Sequence, residues 1–382
     1  MFYYISFLRP PPLQASFAPS EAILITPQIC NDLRTEYFEG SLDIFYSWSL
    51  DTESPKSPVI TKPVKLTSWR SSNAYKEISV PRPQNLRDGQ RWRLILSSGA
   101  TRMDQIIALD EQNPGHAPFS VTSMPVMFAS RPRKGTKQEQ IVRSYLLRLP
   151  LQESPAIFEI SEQTSFDLDK KIWDSGIGLS SWMTQLFTEK LESSALLSDL
   201  RDSLLSREAR NILELGAGTG IVAITLGILR SKLDLLGCKG NIITSDLPSA
   251  ITILQQNINS SSSLTNKISP QAVVLDWENE ELPSEILFDS GLDAIIMADV
   301  TYNTLSFPAL IGTLSRLIEF SKSKRNGRPP MILLGYKERH SDERTLWEMA
   351  KGINIHFEKV GEVKGAGGNP VEIWVGRVSD GA

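Results

Sequence analysis

The chain has 382 residues, 41% of them apolar, and 40 basic against 44 acidic side chains give a formal net charge of −4. That length is long for one compact domain and fits two, while an acidic balance argues weakly against a nucleic-acid binder, which usually carries a basic face. Only Cys30 and Cys238 are present; so far apart they suggest neither a metal site nor a disulfide framework, and a reducing compartment is expected, the cytoplasm or also the nucleus.

Residues 1–8 are apolar but lack a basic lead-in and run into Arg9 and three prolines. They read as neither a signal peptide nor a membrane span, and no later stretch is long and apolar enough to cross a bilayer. Residues 1–150 form an accessory region rich in proline, serine and short apolar runs. Within it, 41–49 (SLDIFYSWS) and 91–96 (RWRLIL) read as strands, because β-branched and aromatic residues cluster there between turn signals. Residues 53–63 and 81–84 read as proline-bearing loops, and 131–137 (RPRKGTK) as a solvated linker near the boundary. This region carries no catalytic signature and is expected to help position a substrate.

From 151 to 382, strand and helix patterns alternate, the signature of an α/β fold with a doubly wound, mostly parallel sheet. Strands are expected at 211–215, 241–245, 271–275, 293–298 and 331–334. Helices are expected at 221–230, from Pro248 to about 259, at 308–320 and at 342–352; proline costs no hydrogen bond in a first helical turn. Lys322, Lys324 and Arg325 suit a helix C-terminus. The last two strands, 354–360 and 371–375, have no helical crossover between them and read as an edge hairpin. No internal repeat is evident.

In such a sheet, ligands sit outside the carboxyl ends of the strands. Gly216 and Gly218 lie there, in Glu214-Leu215-Gly216-Ala217-Gly218-Thr219-Gly220. A dinucleotide fingerprint places two residues before its last glycine, whereas this turn has one. The Lys-Ser/Thr pair of a phosphate loop is also missing. Asp246 closes the second strand, where a carboxylate can accept hydrogen bonds from ribose hydroxyls. A glycine turn alone is common, and Asp246 also suits a helix cap; together and in order they favour a cofactor site.

Five motifs then occur in register: Trp173-Asp174-Ser175-Gly176, the glycine turn, Ser245-Asp246-Leu247-Pro248, Leu275-Asp276-Trp277, and Ala298-Asp299-Val300-Thr301-Tyr302. Over residues 159–377 the chain resembles the seven-β-strand methyltransferases of family sixteen, whose characterised members mainly methylate lysines of other proteins. The resemblance implies a seven-stranded Rossmann-like sheet, S-adenosylmethionine as cofactor and a protein substrate; a sulfonium methyl donor requires no metal, and no membrane contact is expected. The resemblance also implies that Trp173 lies near the methionine end of the cofactor, that Gly216, Ala217 and Gly218 line it, and that Asp246 binds the ribose. Trp277 would pack by the adenine, and Ala298 would contribute at the end of the fourth strand. Asp299 and Tyr302 resemble the family's D-x-x-Y signature and are expected to face the incoming amine.

Trp182, Trp347 and Trp374 match no motif and read as core residues. The segment 335–340 (GYKERH) is a second candidate for substrate contact, but reads better as a polar loop, and a lone histidine such as His340 is weak support for a catalytic base. Residues 231–240 are extra relative to compact relatives and separate Asp246 from the glycines. The alternatives are methylation of a histidine or a small molecule, or a binding protein that kept the fold and lost turnover.

Overall fold

The apolar runs of the second half become one seven-stranded sheet, seen in a computed structural model that describes residues 1–18, 21–52, 59–133, 137–150, 154–165, 167–192, 194–233 and 240–379. Numbered within this sheet, the strands are β1 (Arg210–Leu215), β2 (Gly240–Asp246), β3 (Gln271–Val274), β4 (Ala294–Ala298), β5 (Met331–Tyr336), β6 (Ile355–Val363) and β7 (Val371–Val378). Their order is β3-β2-β1-β4-β5-β7-β6. The first five are parallel, and β7 runs antiparallel between β5 and β6. The expected closing hairpin is therefore present, with β6 outermost.

Neighbouring residues on these strands enter different cores, which is why the strands are continuously apolar rather than alternating. Ile212, Ile296 and Leu333 pack on one face with α1 (Asp174–Phe187), α2 (Ala195–Leu205) and α3 (Ile221–Leu233). Leu213, Ile295 and Leu334 pack on the other, against α6 (Phe307–Lys324) and α7 (Thr345–Lys351). Between them in sequence come α4 (Pro248–Ser260) and the short α5 (Ser262–Thr265), so the helix expected to dissolve after 259 is followed by one more turn. Proline sits in the first turn of both α4 and α6. Trp182 is buried, while Trp347 and Trp374 pack edge to face beside the Arg344 guanidinium.

The N-terminal region is built mainly from antiparallel strands, which include Leu42–Leu50 and Arg91–Ser97, as expected. They belong to a nine-stranded sheet, and a three-stranded sheet of Tyr4–Arg9, Ile23–Cys30 and Ile78–Val80 lies beside it. Trp48, Trp69 and Trp92 fill their shared core. The hairpin Gln140–Leu147/Ala156–Gln163 crosses the division expected at 150 and completes the N-terminal sheet. Residues 131–133 and 137 thus lead into a strand of that sheet rather than linking two bodies, and 134–136 lie outside the described residues. Also outside them are 53–58 of an expected loop, and Cys238 with most of the extra segment, 234–239.

The two regions share one core: Phe2, Tyr145 and Phe158 belong to the same buried cluster as Ile177 and Leu179 of α1. Asn257 of α4 adds a polar tie. Its Oδ1 accepts from the Ser161 amide at 2.8 Å, and its Nδ2 donates to Ser161 O at 3.1 Å and Thr219 O at 2.9 Å. The last strand of the N-terminal sheet is thereby fastened to the glycine turn. No described helix is long and apolar enough to cross a membrane.

Candidate functional site

Outside the carboxyl ends of β1, β2 and β4 lies a cavity of about 1150 Å³ including its open mouth. All nine residues singled out above line it: Trp173, Gly216, Ala217, Gly218, Asp246, Trp277, Ala298, Asp299 and Tyr302. Sequence positions up to 129 residues apart are brought together because parallel strands place all their carboxyl ends on one edge.

The turn after β1 takes a shape that only glycine adopts readily. Gly216 and Gly218 have φ of +67° and +55°, in the left-handed region where a Cβ is strained. A Cβ on Gly216 would also stand 2.9 Å from Val300 Cγ1 and 3.4 Å from the Trp277 ring. Asp246 holds this turn from across the sheet: its Oδ2 accepts from the Gly218 amide at 2.6 Å and its Oδ1 from the Leu247 amide at 2.7 Å. The α4 N-cap is Leu247, with no side-chain cap, so the capping role considered for Asp246 is not the one it plays. Burial raises the Asp246 carboxyl above its ordinary pKa, against the two amides that lower it.

Glu214, at the end of β1, is buried and accepts from Thr244 Oγ1 at 2.6 Å. Burial pushes its pKa up to about 8. A carboxyl raised in this way favours folding most at pH values below its unfolded pKa of about 4.3, and that contribution is lost as pH rises through about 8. The Glu214→Gln variant carries no titrating group there. Its melting temperature is expected to fall less between pH 5 and about 8 than that of the wild type; parallel slopes in a pH series of thermal melts would show that Glu214 is ionised throughout.

Trp173 and Tyr302 stand as parallel rings 6.5 Å apart, 5° from coplanar. The indole donates to Leu168 O at 2.9 Å, and the Arg339 guanidinium lies 5.2 Å from the Trp173 ring centre, within cation–π range. Tyr302 is 52% exposed at the mouth. Burial first, then the carboxylates of Asp246, Asp169 and Asp299, raises its phenol pKa, so it stays protonated.

Asp299, expected to face the incoming amine, already has partners within the chain. Its Oδ1 takes Arg339 Nη1 at 2.5 Å; its Oδ2 takes Arg339 Nη2 at 2.8 Å and the Ser175 amide at 3.3 Å. The residue has φ of +59°, a conformation that Asp tolerates better than most. Arg339 also gives Nη2 to Asp32 Oδ2 at 2.8 Å. Lys337, next but one, donates to Asp174 Oδ2 at 2.7 Å and Asp32 Oδ1 at 3.2 Å. Asp174 further accepts from the Phe2 amide and the Tyr4 hydroxyl.

The segment 335–340, read from sequence as a polar loop, is therefore the origin of two buried cations. Asp32, from a region without an evident catalytic signature, reaches the edge of the site. Burial, followed by the Asp32 charge, lifts Asp174 to about 6 even against Lys337. Asp32 itself is lowered, because Arg339 and Lys337 outweigh the cost of its burial. His340 is exposed and takes no part beyond its own turn. Among the described residues, no group of three His, Cys, Asp or Glu is placed to hold a metal.

A β3-β2-β1-β4-β5-β7-β6 sheet with a glycine turn after β1 and an acid closing β2 defines a Rossmann-like methyltransferase domain. Within that class the chain belongs to the lysine methyltransferase family, whose model matches residues 152–352. It is 28% identical over 204 residues to the UPF0665 family protein C23C4.06c of Schizosaccharomyces pombe, covering 53% of each chain. It is 29% identical over 144 residues to EEF1A lysine methyltransferase 3 of Xenopus tropicalis, covering 37% of this chain and 53% of that one. With protein-lysine N-methyltransferase EFM2 of Saccharomyces cerevisiae it shares 30% identity over 195 residues, 49% of this chain and 42% of the relative. The chain thus spans about half the length of these relatives.

Proposed function

We propose that this chain transfers a methyl group from S-adenosylmethionine to a lysine side chain of another protein. The observation that carries the reading is the single cavity in which a positive-φ glycine turn pinned by Asp246 meets the paired rings of Trp173 and Tyr302. The residues fit the cofactor. The turn at Gly216 and Gly218 leaves backbone open where a side chain would intrude, and the cavity is large enough for a nucleoside joined to an amino acid. Both Asp246 oxygens retain lone pairs for ribose hydroxyls, and Trp277 offers a face for stacking.

S-adenosylmethionine supplies an electrophilic methyl on a sulfonium, so no nucleophile from the protein is needed. What the chain must do is receive an amine, orient it and keep water out. The ring faces of Trp173 and Tyr302 are suited to both the ammonium and its neutral form. An amine leaving water for that environment falls below its usual pKa of about 10.4. In this reading Asp299 and Tyr302 face the amine. Arg339 tempers the Asp299 charge, so the carboxylate orients the amine without holding it as a strong ammonium pair.

Calorimetric titration with S-adenosylmethionine tests the cofactor half of the reading directly. Saturable binding is expected; no heat of binding would favour a scaffold that has kept the fold alone. The relatives named for lysine methylation support lysine over histidine as the acceptor.

A further inference from the structure

We propose that Asp32, contributed by the N-terminal region, is a positioning residue of the transfer site, acting through Arg339 on Asp299 and Trp173. The proposal rests on the methyl-transfer reading and adds to it a residue outside the matched segment 152–352.

The N-terminus of α1 begins at Trp173, which provides no side-chain cap. Its first amides need partners and its dipole favours anions. Two carboxylates from elsewhere in the chain supply them: Asp32 Oδ2 accepts from the Asp174 amide at 3.3 Å, and Asp299 Oδ2 from the Ser175 amide at 3.3 Å. Two carboxylates side by side repel, and Arg339 is the cation between them. Its Nη2 has two hydrogens and spends one on Asp32 and one on Asp299, while Nη1 goes to Asp299. The Asp32 side chain is fully buried and Arg339 nearly so, so neither exchanges its partner for water.

The guanidinium plane is thus fixed from one side by Asp32 and from the other by Asp299, and its position over Trp173 follows. Without Asp32, Arg339 keeps a bidentate partner but loses the anchor that prevents it from swinging with Asp299. The carboxylate, the indole and the start of α1 then lose their common reference. Asp32 owes its place to the turn after the strand Ile23–Cys30, where Asn31 Oδ1 accepts the Thr35 and Glu36 amides. On this account, the N-terminal region completes the catalytic domain from behind.

Lys337 provides the control. It touches Asp32 and Asp174 with comparable burial but has no hydrogen bond to Asp299 or Arg339. In the full chain, Asp32→Asn is compared with Lys337→Met in three measurements: calorimetric affinity for S-adenosylhomocysteine, incorporation of labelled methyl from S-adenosylmethionine into extract proteins per folded molecule, and ring-current-shifted NMR signals of the Arg339 side chain over Trp173. For Asp32→Asn we expect transfer to fall about tenfold or more, affinity to stay within about fivefold, and the Arg339 shift to be lost. For Lys337→Met we expect a lower melting temperature, with transfer and the Arg339 shift largely kept. Equal loss of transfer in both variants, or an Arg339 shift and transfer unchanged in Asp32→Asn, overturns the proposal. A wild-type chain that binds S-adenosylhomocysteine yet labels nothing contradicts methyl transfer instead, and the NMR comparison still decides whether Asp32 places Arg339.

Discussion

Asp299→Ala is expected to lower methyl transfer at least about a hundredfold and to destabilise the fold by about 3 kcal/mol. Both effects come from one side chain. Asp299 is the bidentate partner of Arg339 and accepts the second amide of α1, and removing one partner of a buried pair leaves the other charge uncompensated. The backbone adds to the loss, since φ of +59° suits Asp or Asn better than Ala. Asp299→Asn should retain more stability than Ala while losing transfer, because it keeps the conformation and one acceptor but not the charge. Affinity for S-adenosylmethionine should change little in either variant, as the glycine turn and Asp246 are untouched. Labelled-methyl transfer, thermal melting and calorimetry separate the three quantities, and unchanged turnover in Asp299→Ala would remove this residue from the transfer site.

The converse is expected of Asp246→Ala: affinity for S-adenosylmethionine should fall about a hundredfold, with a much smaller change in stability. A carboxylate accepting hydroxyl hydrogen bonds contributes about 1.5–3 kcal/mol for each one, and the same side chain holds the Gly218 and Leu247 amides in place. Burial disfavours the Asp246 charge, so truncation costs the free protein less than it costs the complex, where the ribose contacts are lost. Calorimetry on the variant reads the affinity. A dissociation constant within twofold of the wild type would place the ribose elsewhere.

The seven-stranded sheet and its glycine turn are legible because their signals are local. Apolar runs of strand length, proline in first helical turns and Gly216/Gly218 at a strand end each need only a few neighbouring residues. Asp246 followed from the second strand's end, even though much of the extra segment before it lies outside the described residues. The charged network was not legible. Asp32 and Arg339 are 307 positions apart, and no periodicity links a turn in one region to a strand end in another.

Lys337 and Arg339 lie in a segment that reads as a polar loop ahead of a substrate contact, because such side chains are seldom buried unless paired, and their partners come from distant parts of the chain. The hairpin across position 150 was missed for a related reason. Residues 131–137 carry the basic, proline-bearing texture of a linker, yet the same texture suits a loop feeding a strand. Only the alternation of Ala156–Gln163, with every other residue buried, marks that strand as part of a sheet with one exposed face.

Methyl transfer to a lysine is read out by locating the methyl itself. The chain is incubated with S-adenosylmethionine carrying an isotopically labelled methyl group and a protein extract, and the labelled residue is found by mass spectrometry, with Asp299→Ala as the control. Label is expected on a lysine side chain of a protein, present with the wild type and absent with the variant. Label on a histidine or only in small molecules, or equal labelling by Asp299→Ala, would contradict this assignment.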